Sequence, residues 1–340
     1  MSTTRMAAVV LVATLVAPAA CTDEPSPRTP SPQHVRVEST ATTPPPSTAD
    51  PAAVGANELG VVPVLMYHRI VPAPASVYDR TPAAFRAELV RLARENYVPV
   101  TAASYAGGDI DIPAGTHPVV LTFDDGDRSQ FSLDAAGRPA AGTAVSIMQE
   151  VAEEFPGFRP VATFFVNAEP FGAGDGLEWL AAHGMEIGNH TATHLNLGQS
   201  TPDQARQDIL AQDQAIRRAV PGFSPATLAF PFGAVPDDPG LALHGAVGPA
   251  EYRYKGAFLV GANPAPSPYA ADFDPAGIPR IRSQDATGPD AEHCSTVWLD
   301  KLAAAPSQRY TSDGDPDRIS FPATSQQQPA ARFGDRVRTY

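Results

Sequence analysis

Short apolar runs alternate with amphipathic stretches over residues 61–304. The apolar runs carry few polar interruptions, as expected of strands that are buried on both faces of a parallel sheet. The amphipathic stretches place apolar residues on one helical face, as Phe85, Leu89 and Leu92 do after Thr81 and Pro82. Strands that alternate with helices indicate an α/β fold built on a parallel sheet or barrel.

This pattern predicts both the elements and the edge at which functional residues lie. The predicted strands cover residues 61–68, 97–101, 118–121, 160–167, 185–188, 227–230, 257–262 and 278–281. The predicted helices begin near Thr81, Ala144, Leu177, Thr201 and Asp290. Polar loops follow several of the strands, and in parallel barrels the chemistry lies at the carboxyl ends of the strands.

The two ends of the chain differ from this central domain, which we place at residues 59–304. Residues 1–21 read as an export signal, with Arg5 before an apolar run. Cys21 after small residues resembles a bacterial lipoprotein signal, although Pro18 departs from that pattern and also suits ordinary secretion. Residues 22–58 are rich in Pro, Ser and Thr and predict a disordered tether, and residues 305–340 predict a polar tail. We therefore expect an extracytoplasmic protein, anchored by lipid at Cys21 or otherwise secreted.

Charge and cysteine content narrow the classes of partner. The formal net charge of −13 argues against nucleic acid or anionic lipid as the main partner, since both need clustered Lys and Arg. The cysteines are Cys21 and Cys294, which excludes a disulfide framework and a thiolate zinc site. No feature of the sequence indicates a protein partner. Membrane contact is expected only through a lipid on Cys21.

Two polar motifs follow predicted strands. Asp124 and Asp125 come directly after an apolar run and precede Gly126, which permits a sharp turn. His190 and His194 are four residues apart after another strand, and they share one side if that loop is helical. Two imidazoles and one carboxylate suit a divalent metal with open positions for water and substrate, and leave the second carboxylate free to move protons.

The same ligand set also describes a mononuclear iron oxygenase. That alternative is disfavoured because such sites usually lie in an all-β barrel and have no use for the second carboxylate. A metal-dependent hydrolase that acts on a carbonyl compound is the preferred interpretation.

These motifs resemble those of the polysaccharide deacetylase family (carbohydrate esterase family 4). Residues 122–126 read TFDDG and residues 190–194 read HTATH. Residues 63–70 read PVLMYHRI, similar to the branch that acts on poly-N-acetylglucosamine. The resemblance implies a distorted (β/α) barrel with fewer than eight regular repeats. It also implies removal of N-acetyl groups, less readily O-acetyl groups, from an extracellular or cell-wall polysaccharide.

The resemblance assigns roles to individual residues. Asp124 would be the general base, and Asp125, His190 and His194 would hold the metal, most often Zn²⁺ and sometimes Co²⁺ or Ni²⁺. Residues 230–233 read FPFG and resemble the third motif of the family. Phe232, with Pro231 beside it, would then line the substrate and present its backbone N–H to the oxyanion.

Two residues of the family pattern are missing. The third motif usually supplies an Arg that pairs with the base, for which Arg280 or Arg282 is the candidate replacement. The late Leu-x-His motif is not evident, so His68 is the preferred proton donor and His293 the second choice. The remaining candidates are expected to be exposed bystanders: His117, His183 and His244. These gaps leave open a second alternative, a glycan-binding protein that kept the fold and lost turnover.

Overall fold

The computed structural model describes residues 49–172 and 176–340. The predicted export signal, Cys21 and the tether up to residue 48 lie outside the described residues. The helices are α1 (Pro51–Val54), α2 (Pro82–Arg94), α3 (Ala102–Gly107), α4 (Ala144–Glu154), α5 (Gly176–Ala182), α6 (Pro202–Ala219) and α7 (Ser295–Ala304). The strands are β1 (Val64–Tyr67), β2 (Tyr97–Val100), β3 (His117–Asp124), β4 (Thr163–Val166), β5 (Glu186–Asn189), β6 (Thr227–Ala229), β7 (His244–Val247), β8 (Ala250–Arg253), β9 (Gly256–Phe258), β10 (Ile281–Arg282), β11 (Ile319–Phe321) and β12 (Val337–Thr339).

Threonine caps begin four of the main helices. Thr81, Thr101, Thr143 and Thr201 each accept a hydrogen bond from the backbone N–H three residues later, which satisfies a donor that the helix itself leaves free. In α6, Gln204 completes a reciprocal capping box with Thr201. The helix starts predicted from Thr81 and Thr201 are therefore confirmed.

The predicted α/β fold class is confirmed. Within the described residues, eight parallel strands form one sheet in the order β10-β1-β3-β4-β5-β6-β9, and β2 pairs with the first half of β3. The segment before β10 joins the two ends of this order, because Ile278 pairs with Phe258 of β9 and Ile281 pairs with Leu65 of β1. The sheet therefore curls into an irregular barrel.

Alternation along the strands separates two hydrophobic clusters. Leu65 and Phe123 belong to the outer cluster, where α2 and α4 pack against the sheet. Val64 and Val120 belong to the inner cluster together with residues of β4, β6 and β9. Successive side chains on a strand point to opposite faces, so Asp124, four residues after Val120, points to the inside of the barrel.

The C-terminal segment differs from the expected polar tail. Residues 305–340 contain β11 and β12, which pair with each other, and bury Tyr310, Ile319 and Phe321 against the inner cluster. Gly60 packs directly on the backbone of Arg309, since a β-carbon there would lie 2.3 Å from the Arg309 carbonyl carbon. The segment is a structural part of the barrel's base.

The expected tether also ends earlier than residue 58. Residues 51–54 form α1, and Ala56 and Glu58 are buried. The Glu58 backbone N–H donates to Ser320 O, and the Ser320 N–H donates to the Glu58 carboxyl at 2.7 Å. The chain on both sides of the barrel is thus tied together by one buried acid.

Burial, and to a smaller extent the negative charge of the nearby Asp313, raises the pKa of Glu58 from 4.5 to about 8. The folded state therefore keeps a proton that the unfolded chain releases above about pH 4.5. Its contribution to the free energy of unfolding is complete below that pH and is lost as the pH rises through about 8.

We expect Glu58→Gln to flatten this pH dependence, because the amide has the shape of the protonated acid and does not ionise. Each unit of pKa shift corresponds to about 1.4 kcal/mol. The difference in free energy of unfolding between variant and wild type should therefore change by several-fold that amount between pH 5 and pH 8. Urea unfolding at the two pH values measures it. Parallel curves for the two proteins would contradict the assignment.

No helix in the parts of the chain that the structure describes is long and apolar enough to cross a membrane.

Candidate active site

Four strands of the sheet, β1, β3, β5 and β6, deliver candidate site residues to one end of the barrel. His68 follows β1, Asp124 ends β3, His190 follows β5 and Pro231 follows β6. Because the strands are parallel, these positions share the carboxyl edge of the sheet. The structure therefore brings the motifs together where the sequence pattern placed them.

Asp125, His190 and His194 form a cluster with the geometry of a metal site. Asp125 Oδ1 lies 3.4 Å from Nε2 of His190 and 3.4 Å from Nε2 of His194. One ligand atom from each of the three lies within 4.8 Å of the others. Asp125 Oδ1 is buried and has no hydrogen-bond partner among the described residues, an arrangement that is costly unless a cation occupies the space between these atoms.

The tautomer of His190 fits metal binding. Its Nδ1 lies 2.9 Å from Ala229 O, and a carbonyl oxygen only accepts, so Nδ1 must carry the proton. The Nε2 lone pair is then free and directed at Asp125. Metal-ligating histidines commonly donate their other N–H to a backbone carbonyl in this way. The donor set of two imidazoles and one carboxylate suits zinc and similar divalent ions.

Left-handed backbone, rather than a helix, brings the ligands together. The spacing of His190 and His194 suggested a helical loop, but Thr191 and His194 have φ of 61° and 56° and no helix forms there. Asp125 has φ of 75° and Gly126 has φ of 71°. Non-glycine residues hold this conformation at a cost that the surrounding structure must offset, and such residues cluster at functional sites.

Asp124 is fully buried and is held by Arg280. The Arg280 Nη1 and Nη2 atoms each donate to one carboxylate oxygen of Asp124 at 2.7 Å. Arg280 has no exposed surface, and its Nε donates to Leu259 O at 2.7 Å. Of the two candidate replacements for the missing arginine, Arg280 therefore pairs with Asp124. Arg282 instead donates to Gln284 and to Pro289 O.

The charge of Asp124 is set by this pairing. Burial alone would raise the pKa of Asp124, but the Arg280 guanidinium, together with His190, holds it well below its usual range. Asp124 is consequently ionised at neutral pH, which a group that accepts a proton requires.

His68 faces Asp124 from β1. Its Nε2 lies 4.0 Å from Asp124 Oδ2, and its ring centroid lies 4.9 Å from that of Tyr78. Burial lowers the pKa of His68, against the opposing effect of the Asp124 charge. His68 thus lies beside Asp124 on the β1 side of β3, whereas the two metal-ligand candidates follow β5 on the other side.

Gln130 was missed by the sequence analysis. It lies at the start of the 127–142 segment, is fully buried, and donates from Nε2 to His68 O at 2.9 Å and to Asp124 O at 2.5 Å. One amide therefore ties the end of β1 to the end of β3. A single Gln in a polar loop carries no periodic signal, so only the fold reveals this contact.

Phe232 and Pro231 lie at the rim, after β6. Phe232 has φ of 59° and is 67% exposed, and its ring contacts that of His194 at 4.5 Å between centroids. Pro231 is buried beneath it. An exposed aromatic ring beside a candidate metal ligand is unusual for a residue with a purely structural role.

Among the residues that the structure describes, the other histidines lie outside the cluster. His293 is largely exposed beside Glu292, and His183 stacks on Trp179 at 3.6 Å between centroids. His117 was expected to be exposed, and that is wrong. It is buried at the start of β3 with Nδ1 2.8 Å from Tyr310 O, and burial lowers its pKa to about 4. The expectation failed because its partner is in the C-terminal segment.

Comparison with known proteins agrees with this geometry. Residues 111–245 match the family model for polysaccharide deacetylases. The chain is 28% identical over 169 residues to a chitooligosaccharide deacetylase of Bradyrhizobium sp. (strain ANU 289), covering 47% of this chain and 68% of the relative. It is 27% identical over 126 residues to a peptidoglycan-N-acetylglucosamine deacetylase of Bacillus cereus, covering 36% of this chain and only 39% of that relative.

Solved structures share the fold. A polysaccharide deacetylase from Bacillus cereus superposes with a TM-score of 0.53 at 22% sequence identity, and the match covers 73% of this chain and 69% of the other. At this level of identity the likeness concerns the fold alone.

Proposed function

We propose that the protein hydrolyses N-acetyl groups, and less readily O-acetyl groups, on an extracellular glycan, because residues 111–245 match the family model for polysaccharide deacetylases. The observation that carries the proposal is the unpartnered Asp125 Oδ1 between two histidine Nε2 atoms, next to an ionised carboxylate. The relatives act, by their names, on chitooligosaccharides and on peptidoglycan N-acetylglucosamine. An acetylated amino-sugar polymer is therefore the substrate class.

We assign Asp125, His190 and His194 as the metal ligands, with Zn²⁺ as the preferred ion and Co²⁺ or Ni²⁺ as substitutes. When bound, such an ion would lower the pKa of a coordinated water from 15.7 towards about 7 and would polarise the amide carbonyl. The protein's own residues then move the protons.

Asp124 takes a proton from the attacking water while the water oxygen forms a bond to the acetyl carbonyl carbon. The backbone N–H of Phe232 stabilises the negative charge that develops on the carbonyl oxygen. The carbon–nitrogen bond then breaks, and His68 donates a proton to the leaving nitrogen, which becomes the free amine. His68 can receive that proton from Asp124 through one bridging water, since His68 Nε2 and Asp124 Oδ2 lie 4.0 Å apart, beyond the reach of a direct hydrogen bond. The products are one acetate and one amino sugar.

The alternatives differ in observable ways. The glycan-binding protein without turnover was motivated by the missing Arg and His, and the placement of Arg280 on Asp124 and of His68 beside it weakens that motive. The iron oxygenase needs no second carboxylate, whereas Asp124 is buried with its own arginine.

We expect the protein to release acetate and free amine in equal amounts from N-acetylated chitotetraose, to lose this activity with a chelator, and to regain it with Zn²⁺, Co²⁺ or Ni²⁺. Acetylated xylan serves as the comparison, because it yields acetate without amine. Binding of chitotetraose without any release would favour the non-catalytic alternative. Oxygen consumption with Fe²⁺ would favour the oxygenase.

The place of action is part of the proposal. An export signal at residues 1–21 and a lipid anchor at Cys21 would hold the enzyme on the outer face of a bacterial membrane, beside a cell-wall or surface glycan. Labelling with a radioactive fatty acid, compared between wild type and Cys21→Ala, distinguishes anchoring from free secretion.

A further inference from the structure

A second cavity lies beside the candidate active site at the mouth of the barrel. It has a volume of about 330 Å³ and is lined by residues that include Met66, Tyr78, Val260, Arg282, Asp290 and His293. This is within the usual range of ligand-binding cavities, about 300–1,000 Å³.

The register of the strands connects this cavity to the catalytic cluster. Met66 is two residues before His68 on the β1 side, and Arg282 is two residues after Arg280. Residues two apart on a strand face the same way, so Met66 and Arg282, which pair across β1 and β10, continue the inward row of His68 and Arg280.

Both walls of the cavity also touch residues of the site. Tyr78 packs against the ring of His68, with 4.9 Å between centroids. On the other side, Val260 packs on Gly233, where a β-carbon would lie 3.0 Å from that of Val260, and Gly233 directly follows Phe232. A linear molecule that reacts at Asp124 can therefore extend into this cavity.

The lining combines apolar surface with hydrogen-bonding groups. Val77, Phe232 and Val260 are three of the five exposed large hydrophobic side chains among residues 49–172 and 176–340, and all three belong to the segments around this opening. Exposed apolar groups that gather at one place mark a binding surface. Arg282 adds the Nη1 donors, which its hydrogen bonds to Gln284 and Pro289 O leave free, and its guanidinium lies 5.5 Å from the Tyr78 ring centroid.

The charges of the cavity nearly balance. Arg282 Nη2 lies 3.8 Å from Asp290 Oδ2, too far for a tight ion pair, and the Asp290 side chain is 72% exposed. A carboxylate on the ligand would approach Asp290 as well as Arg282, whereas hydroxyl and amide groups can bond to both. The chemistry thus favours an uncharged, polyhydroxylated ligand with apolar ring faces.

We propose that this cavity binds the sugar next to the one that is deacetylated, and that this neighbour is an uncharged N-acetylhexosamine rather than a sugar with a carboxylate. The inference rests on the proposed function. The residues that line the cavity, from 66 to 78 and from 260 to 293, lie outside the span that matches the family model, 111–245. Substrate preference would therefore be set by segments outside the part of the chain that matches the family model.

Arg282→Ala tests the assignment with two substrates. Chitotetraose fills the cavity, and 4-nitrophenyl acetate is too small to reach it. Loss of one hydrogen bond costs about 0.5–1.5 kcal/mol, so the ratio of kcat/KM for chitotetraose to kcat/KM for 4-nitrophenyl acetate should fall by about 2- to 13-fold, mainly through KM. Arg206→Ala is the matched control, since Arg206 also pairs with an exposed acid, Asp203, but lies on α6.

Asp290→Asn tests the charge preference. We expect it to raise the relative rate on a muramic-acid-containing glycan fragment against chitotetraose. An unchanged substrate ratio in Arg282→Ala would overturn the cavity assignment while acetate release by the wild type upholds the function. If the wild type releases no acetate from any glycan, the proposed function fails and the cavity assignment fails with it.

Discussion

Asp124→Asn is expected to lower kcat by orders of magnitude while the protein keeps its metal. The amide has the shape of the carboxylate but cannot accept a proton from water. A positioned base contributes about 10²–10⁴-fold to the rate, so kcat should fall by a factor in that range. Acetate release under saturating chitotetraose measures kcat, and elemental analysis after dialysis measures the bound metal.

The same substitution should also lower stability. Arg280 has no exposed surface and would lose the charge that compensates its own, and breaking such a buried pair typically costs about 3–5 kcal/mol. Activity is therefore compared at a temperature where circular dichroism shows both proteins folded.

Glu186→Gln is the matched control for Asp124→Asn. Glu186 is also a buried carboxylate, but it begins β5 at the opposite end of the barrel, where it accepts from Thr163, Thr227 and the Ala103 N–H. Its substitution should change stability with little effect on kcat. Normal turnover in Asp124→Asn would refute the base assignment, and loss of metal in that variant would mean that Asp124 belongs to the ligand set.

The sequence predicted the end of the barrel at which the site lies because alternation and strand direction are local properties. An inward row that includes Val120 and Thr122 must continue to Asp124 while the strand lasts. The different positions of Asp124 and Asp125, on which their proposed roles depend, follow from the same fact. Asp124 remains in the strand, and Asp125 leaves it with φ of 75° and turns towards the histidines.

The choice between Arg280 and Arg282 could not be made from the sequence. Both face inward, and only the register of β10 against β1, which places Arg282 level with Met66, shows that Arg280 is the one beneath Asp124. Gln130 is a similar case, since its two acceptors come from different strands.

Contacts between distant parts of the chain also explain the errors at the ends. Glu58 bonds to Tyr310 and Ser320, more than 250 residues away. The apolar residues of the C-terminal segment are few and follow no period, so its composition resembles that of a disordered tail. The β7–β8 hairpin was missed as well, because most of its residues are exposed and give no strand-like alternation.

Asp125→Asn should give the reverse of the Asp124→Asn result, with metal lost first and activity lost as a consequence. Asp125 contributes the only negative charge among the three ligand candidates. Substitution of a residue that only orients a metal ligand costs about 10–100-fold in metal affinity. Removal of the charge of a ligand itself should cost at least as much. Titration of the apoprotein with Zn²⁺, followed by acetate release, measures both quantities.

The two isosteric variants therefore control each other. Excess Zn²⁺ should restore part of the activity of Asp125→Asn, because Asp124, Arg280 and His68 remain in place. Excess Zn²⁺ should not raise the activity of Asp124→Asn, because that variant already holds its metal. If Asp125→Asn binds Zn²⁺ as tightly as the wild type, the unpartnered Asp125 Oδ1 does not mark a metal position, and the hydrolytic mechanism proposed for this site is wrong.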